Sequence, residues 1–179
     1  APATHPWPGD RFRGVDWYYW FSGLPVLGFL FTRLIPLPVG WFNISEGVET
    51  VFAPEEPKPG YAADLVARMV LRPRAYRANA ADVYELLPFV TEHAGSYAGI
   101  TCPIHIITGD DDGVVWPSIH SDGLEAAIDG AKKTVIVGGG HMPHQTHPEL
   151  LLDALADLTE PAEAHVGKTK ELPQVVPIA

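Results

Sequence analysis

The chain has 179 residues and an apolar fraction of 46%, enough to bury a core as one domain of ordinary composition. Lys and Arg total 12 against 22 Asp and Glu, and the net charge of −10 argues against nucleic acid or an anionic membrane as partner, because both need a basic surface. The one cysteine, Cys102, permits no internal disulfide and points to a reducing, cytoplasmic setting.

Ala1–Gly9 has neither a basic n-region nor an apolar h-region, so it is not a signal peptide; it reads as a loop from within a longer chain. An aromatic run follows: Trp17, Tyr18, Tyr19, Trp20 and Phe21. The apolar stretch Gly23–Phe42 invites a membrane reading. Arg33, Pro25, Pro36 and Pro38 interrupt it, so no unbroken span of about 20 apolar residues exists and no stable membrane insertion is expected. The sequence over residues 23–60 reads as broken by proline and glycine. Tyr61–Leu71 reads as a helix with Leu65, Met69 and Val70 on one face, ended by Arg72-Pro73. Asn79 is placed to cap a second helix carrying Val83, Leu86 and Leu87, which Pro88 closes or kinks.

Composition changes near Ile100. Cys102-Pro103 opens a strand whose run Ile104, Ile106 and Ile107 is apolar enough to be covered on both faces, with Cys102 a buried structural thiol. Leu124, Ala127 and Ile128 suggest a short helix ended by Asp129-Gly130. Thr134–Val137 is the next strand. Thr146-His147-Pro148-Glu149 has the form of a capping box before a helix with Leu151, Leu155 and Leu158 as its buried stripe. Residues beyond 160 lack periodicity and read as a flexible tail.

This β-α-β-α order predicts two parallel strands with a right-handed crossover. Functional residues of such sheets lie beyond the carboxyl ends of the strands. One strand ends at Thr108-Gly109-Asp110-Asp111-Asp112-Gly113, the other at Gly138-Gly139-Gly140-His141-Met142-Pro143. A carboxylate and an imidazole would then meet on one rim, because neighbouring strands are about 4.8 Å apart. Histidine can take and return a proton near neutrality, and a carboxylate fixes its tautomer. Asp112 fits the carboxylate role best, with Asp110 and Asp111 as rivals; a solvated turn is the plain alternative, and the contiguous acids do not match an EF-hand. His141, His144 and His147 form H-x-x-H-x-x-H, but Pro143 and Pro148 prevent one helix from aligning them, and no metal site is assigned. A nucleophile elbow G-x-S-x-G does not occur. Its nearest imitation, Ala94-Gly95-Ser96-Tyr97-Ala98, has no strand leading into it.

Two segments together, P-I-H-I-I-T-G-D-D-D-G-V-V-W-P at Pro103–Pro117 and G-G-G-H-M-P-H-Q-T-H-P-E at Gly138–Glu149, resemble the acid turn and histidine turn of the α/β-hydrolase fold family in type, order and separation. The resemblance implies a partial α/β-hydrolase fold: a helical cap over residues 1–100, the C-terminal part of the hydrolase core over 101–160, and a tail over 161–179. It implies Asp112 as triad acid and His141 as triad base, with the nucleophile elbow and oxyanion loop upstream of Ala1 in a missing N-terminal half of the same fold. Trp17, Tyr18, Trp20, Leu27, Phe29 and Phe31 of the cap would shape an apolar acyl pocket for a small-molecule substrate, ordinary cap packing being the alternative. The expected activity is esterase-like and needs no cofactor, and the isolated chain is expected to be inactive. Two other readings stand beside it: a non-catalytic binding or assembly module with an apolar sheet edge at Ile104–Ile107, and haloalkane or epoxide chemistry with an upstream aspartate nucleophile.

Overall fold

The computed structural model describes residues 2–9, 13–64 and 67–159. A helical region comes first: α1 (Trp17–Ser22), α2 (Leu27–Leu34), α3 (Pro36–Phe52), α4 (Tyr61–Asp64), a 3₁₀ turn at Ala67–Leu71, and the long α5 (Pro73–His93). A 3₁₀ segment, Ala94–Gly99, leads to β1 (His105–Gly109), α6 (Ser121–Ala127), β2 (Lys132–Ile136), α7 (Pro143–Thr146) and α8 (Pro148–Thr159).

The two strands are parallel, with His105 opposite Lys132 and Gly109 opposite Ile136. The β-α-β-α order expected for residues 101–160 is therefore present. Ile106 and Ile136 are buried, and Ile128, just after α6, is buried with them. Apolar exposure on the sheet falls at Val135 and at Val137 beyond the end of β2, while Ile106 is covered and Ile104 and Ile107 are half-buried.

The helical region is more continuous than its prolines suggest. Pro36 is the first residue of α3 and Pro38 lies in its first turn, where the missing N–H has no helical acceptor to lose. The aromatic run is itself helical, as α1. Asn79 does not cap a helix: α5 begins six residues earlier, at Pro73, again with proline at its first position. Pro88 lies inside α5. It cannot donate to the carbonyl of Tyr84 four residues back, and Arg13 Nη1 donates to that oxygen instead, at 3.2 Å. The same guanidinium lies 4.2 Å from the Tyr84 ring centroid and pairs with Glu85 at 2.8 Å.

Four further expectations are corrected. The Tyr61–Leu71 segment is not one helix, and Met69 and Val70 are exposed while Leu71 is buried; Leu65 lies outside the described residues. Cys102 is exposed, because β1 starts at His105, three residues after the opening expected at Cys102, and the thiol sits in the preceding loop. Thr146 does not cap α8: it ends α7, and its hydroxyl donates to Glu55 Oε2 at 3.1 Å. The inward side of α8 carries half-buried Leu151 and Leu158 with buried Ala154 between them, and Leu155 is exposed. The expected tail at 161–179 lies outside the described residues.

Among the described residues no single helix is long and apolar enough to cross a membrane; α2 and α3 reach that length and composition only together, as a pair bent by 53°.

Candidate active site

The loops after β1 and β2 are zipped together. Asp110 N donates to Ile136 O and Asp111 N to Gly139 O, each at 3.1 Å. Asp110 Oδ1 accepts the N–H of Gly138 at 2.6 Å. This approach needs Gly109, because a side chain there would collide with the backbone of Gly139 and Gly140. Two of the three consecutive aspartates thus act in the turn, Asp110 through its side chain and Asp111 through its backbone, and Asp112 is the one that reaches the imidazole.

Asp112 Oδ2 lies 2.9 Å from His141 Nδ1. Its other oxygen, Oδ1, accepts the N–H groups of Val114 and Val115 at 2.9 and 2.8 Å. The Asp112 side chain is fully buried and that of His141 is 22% exposed. Burial pushes the carboxyl pKa up, but the hydrogen bond from His141, the two backbone donors and attraction to the imidazole outweigh it and hold the group below the usual carboxylate range. An ionised Asp112 can only accept, so His141 carries its proton on Nδ1 and its lone pair on Nε2. Among the described residues Nε2 has no hydrogen-bond partner.

The histidine loop is also held from the helical region. Glu55, three residues past the end of α3, accepts the N–H of Gly140 at 3.0 Å and the Thr146 hydroxyl on Oε2, and its Oε1 lies 3.3 Å from His147 Nδ1. Gly140 passes so close to the carbonyls of Phe52 and Ala53 that no side chain fits there. Sequence reading missed Glu55. Its only mark was a charge flanked by prolines, Pro54 and Pro57, in a stretch read as broken by proline and glycine.

A second strap crosses the acid loop. His120 is buried, and its Nδ1 accepts the N–H groups of Thr4 and His5 at 3.1 and 3.2 Å, while the Thr4 hydroxyl donates to His120 O at 2.8 Å.

Beside the histidine loop lies a groove of about 340 Å³. Ile44, Val48, Val51 and Phe52 of α3 form one side, and Tyr61 and Met142, the residue after His141, close it. Apart from Asn43 and the Tyr61 hydroxyl the lining is apolar or glycine. None of Trp17, Tyr18, Trp20, Leu27, Phe29 and Phe31 lines this groove. Those residues belong to α1 and α2, where Trp17, Phe21 and Phe31 pack on one another with ring centroids 5.3–6.3 Å apart. Phe29 lines a separate cleft with three arginines.

Ser96 is exposed in the 3₁₀ segment, its hydroxyl donating to His93 O at 2.7 Å. Of the three histidines at 141, 144 and 147, His141 is paired with Asp112, His147 with Glu55, and His144 is exposed. Among the described residues no group of three His, Cys, Asp or Glu is placed to hold a metal ion.

The sequence profile described as the alpha/beta hydrolase family matches residues 2–154. A protein named "Putative carbamate hydrolase RutD" from Escherichia coli O17:K52:H18 is 45% identical over 69 residues, covering 36% of this chain and 24% of that protein. The protein of the same name from Enterobacter cloacae subsp. cloacae is 42% identical over 65 residues, covering 34% and 24%. The matched stretch is thus about a quarter of the length of these curated relatives. Among solved structures, MGS-M2, an alpha/beta hydrolase enzyme from a Medee basin deep-sea metagenome library, superposes with a TM-score of 0.42 at 15% identity, over 88% of this chain and 65% of that one.

Proposed function

The chain belongs to the alpha/beta hydrolase family, and on that premise we propose that it carries the acid and base of an esterase-like hydrolase that cleaves a small apolar acyl substrate. The observation that carries the reading is the 2.9 Å contact between His141 Nδ1 and a fully buried Asp112 carboxylate. A buried carboxylate that orients an imidazole and leaves the lone pair on Nε2 is the arrangement that general-base catalysis requires.

In this reading His141 Nε2 removes the proton of a hydroxyl nucleophile contributed by residues outside this chain. The oxygen bonds to the substrate carbonyl carbon, and the negative charge that forms on the carbonyl oxygen is met by donors that also lie outside the chain. Nε2 then returns its proton to the leaving group as the carbon–leaving-group bond breaks. Water repeats the cycle and frees the acid. Asp112 stays ionised throughout and stabilises the imidazolium. The α3 groove ending at Met142 is the site we assign to the apolar acyl group. The six aromatic and aliphatic residues of α1 and α2 would contribute at its approaches or simply pack the cap. We place the protein in the cytoplasm, on the ground that its single cysteine has no disulfide partner.

The name of the RutD relatives favours a second reading within the same chemistry, in which the substrate is a carbamate and the leaving group an amine. Proton delivery from Nε2 matters more there, because an amine leaves poorly unless protonated.

One experiment tests the assignment. The gene is extended upstream of Ala1, and the longer protein and this chain are each exposed to a fluorophosphonate probe, a p-nitrophenyl ester and an aryl carbamate. Labelling and turnover in the longer protein that His141→Ala abolishes support the reading, and the ratio of the two rates separates ester from carbamate. Stoichiometric labelling of this chain alone, or hydrolysis indifferent to His141, would overturn it.

A further inference from the structure

Three arginines line one cleft of about 300 Å³ between α2 and the start of α5: Arg33 on α2, and Arg74 and Arg77 on α5, with Phe29 and Pro73 completing it. In a chain of net charge −10 this is a concentration of positive charge that the surrounding sequence does not neutralise. None of the three is in an ion pair among the described residues. α2 contains no acidic residue, and the first on α5 is Asp82, beyond the i+3 and i+4 positions of both Arg74 and Arg77. Arg74 also sits in the first turn of α5, at the positive end of the helix dipole, where no side chain caps the free N–H groups. Arg33 is held over the Phe29 ring, 3.5 Å from its centroid, and its Nη1 reaches Phe29 O at 3.4 Å. Three like charges around one space, one of them in the first turn of α5, repel one another unless an anion joins them.

We propose that this cleft is a binding site for a phosphate monoester, separate from the Asp112–His141 site and independent of the hydrolytic reading. A carboxylate brings one negative charge, whereas a phosphate monoester brings close to two and three terminal oxygens, a better match to three guanidinium groups that each present paired donors. The cleft is larger than a phosphate group, and Phe29 and Pro73 offer an apolar surface to the organic part of the ester.

The test is calorimetric titration of the full chain at fixed ionic strength with phenyl phosphate, inorganic phosphate and phenol. Saturable binding of phenyl phosphate is expected, tighter than that of inorganic phosphate and absent for phenol. Arg74→Gln and Arg77→Gln should each weaken it at least tenfold. Lys132→Gln, which removes one charge from exposed sheet surface, should leave it unchanged. Vesicles containing phosphatidic acid form a second arm. Arg77-dependent binding there but not to phenyl phosphate would identify a lipid headgroup as the source of the phosphate. Circular dichroism checks each variant, and Arg77→Lys, which keeps the charge and loses the fork, should bind with intermediate strength. No saturable binding in either arm, or an equal loss in Lys132→Gln, would overturn the site.

Discussion

Glu55 accepts the N–H of Gly140 at 3.0 Å, so a carboxylate from the helical region holds the residue immediately before His141. The same oxygen takes the Thr146 hydroxyl on the far side of the loop, at 3.1 Å. Glu55→Ala removes both partners and leaves a buried amide at Gly140 unsatisfied, a loss of about 1–3 kcal/mol. Hydrogen exchange at the Gly140 amide should accelerate tenfold or more. Glu55→Gln keeps an oxygen that can accept this N–H and should restore most of the protection, although it removes the charge facing His147. Exchange at Gly140 that ignores both substitutions would mean that the loop holds itself.

Arg13 is the partner that Pro88 leaves wanting. The Tyr84 carbonyl, deprived of its helical donor, accepts Arg13 Nη1 at 3.2 Å. The ion pair with Glu85 adds little, since the Glu85 side chain is 62% exposed. Arg13→Met should therefore cost about 1 kcal/mol through the carbonyl. In a Pro88→Ala background, where the helix supplies its own N–H, the same substitution should cost clearly less. Thermal denaturation of the four proteins measures the coupling, and strictly additive effects would count against it.

What the sequence could show follows from the range of the forces involved. The strand ends were legible because both signals are local: a β-branched run stopped by glycine, then a residue with chemistry. The choice among Asp110, Asp111 and Asp112 was legible only as a ranking, because it is decided by which side chain turns toward His141 once the two loops are zipped. The start of β1 was misjudged at Cys102, since an apolar run marks burial better than it marks the start of a strand. Continuity in the helical region was under-read at Pro36 and Pro38, where proline in a first turn looks the same as proline in a loop. The Glu55 contacts and the α3 groove were beyond reach, because both arise from chain segments about 85 residues apart whose docking no periodicity encodes.

His120 joins the N-terminal strap to the acid loop by accepting two backbone N–H groups on Nδ1. Burial, and then repulsion from His5, hold its pKa below the ordinary 6.5, with attraction to Asp112 opposing them. The unfolded chain therefore binds this proton at a higher pH than the folded one. Stability from the neutral ring is complete above about 6.5 and declines as pH falls from there toward the folded pKa. Protonation would also put an N–H on Nδ1 facing two other N–H groups. The melting temperature should fall between pH 7.5 and 5.5, and His120→Asn should make that slope shallower. An unchanged slope would remove His120 as its source.

Asp112 has two oxygens with separate duties, and two substitutions separate them. Asp112→Ala strands the N–H groups of Val114 and Val115 and should cost about 2 kcal/mol or more. Asp112→Asn keeps an oxygen for those donors but sets an NH₂ group against His141 Nδ1. The ring then gains by carrying its proton on Nε2, the nitrogen that must be bare to act as a base. Nitrogen-15 shifts of His141 should report this tautomer change with little loss of stability. In the upstream-extended protein the rate should fall about 10³-fold or more, as is typical when the orienting acid of a triad is neutralised. The parent carboxyl, held below its usual value of 3.8, contributes stability that is present above that pH and is lost as pH falls through the folded value beneath it. Asp112→Asn should lack this acid step. If the asparagine variant keeps both the Nδ1–H tautomer and the rate, the acid of the reaction lies elsewhere in the molecule.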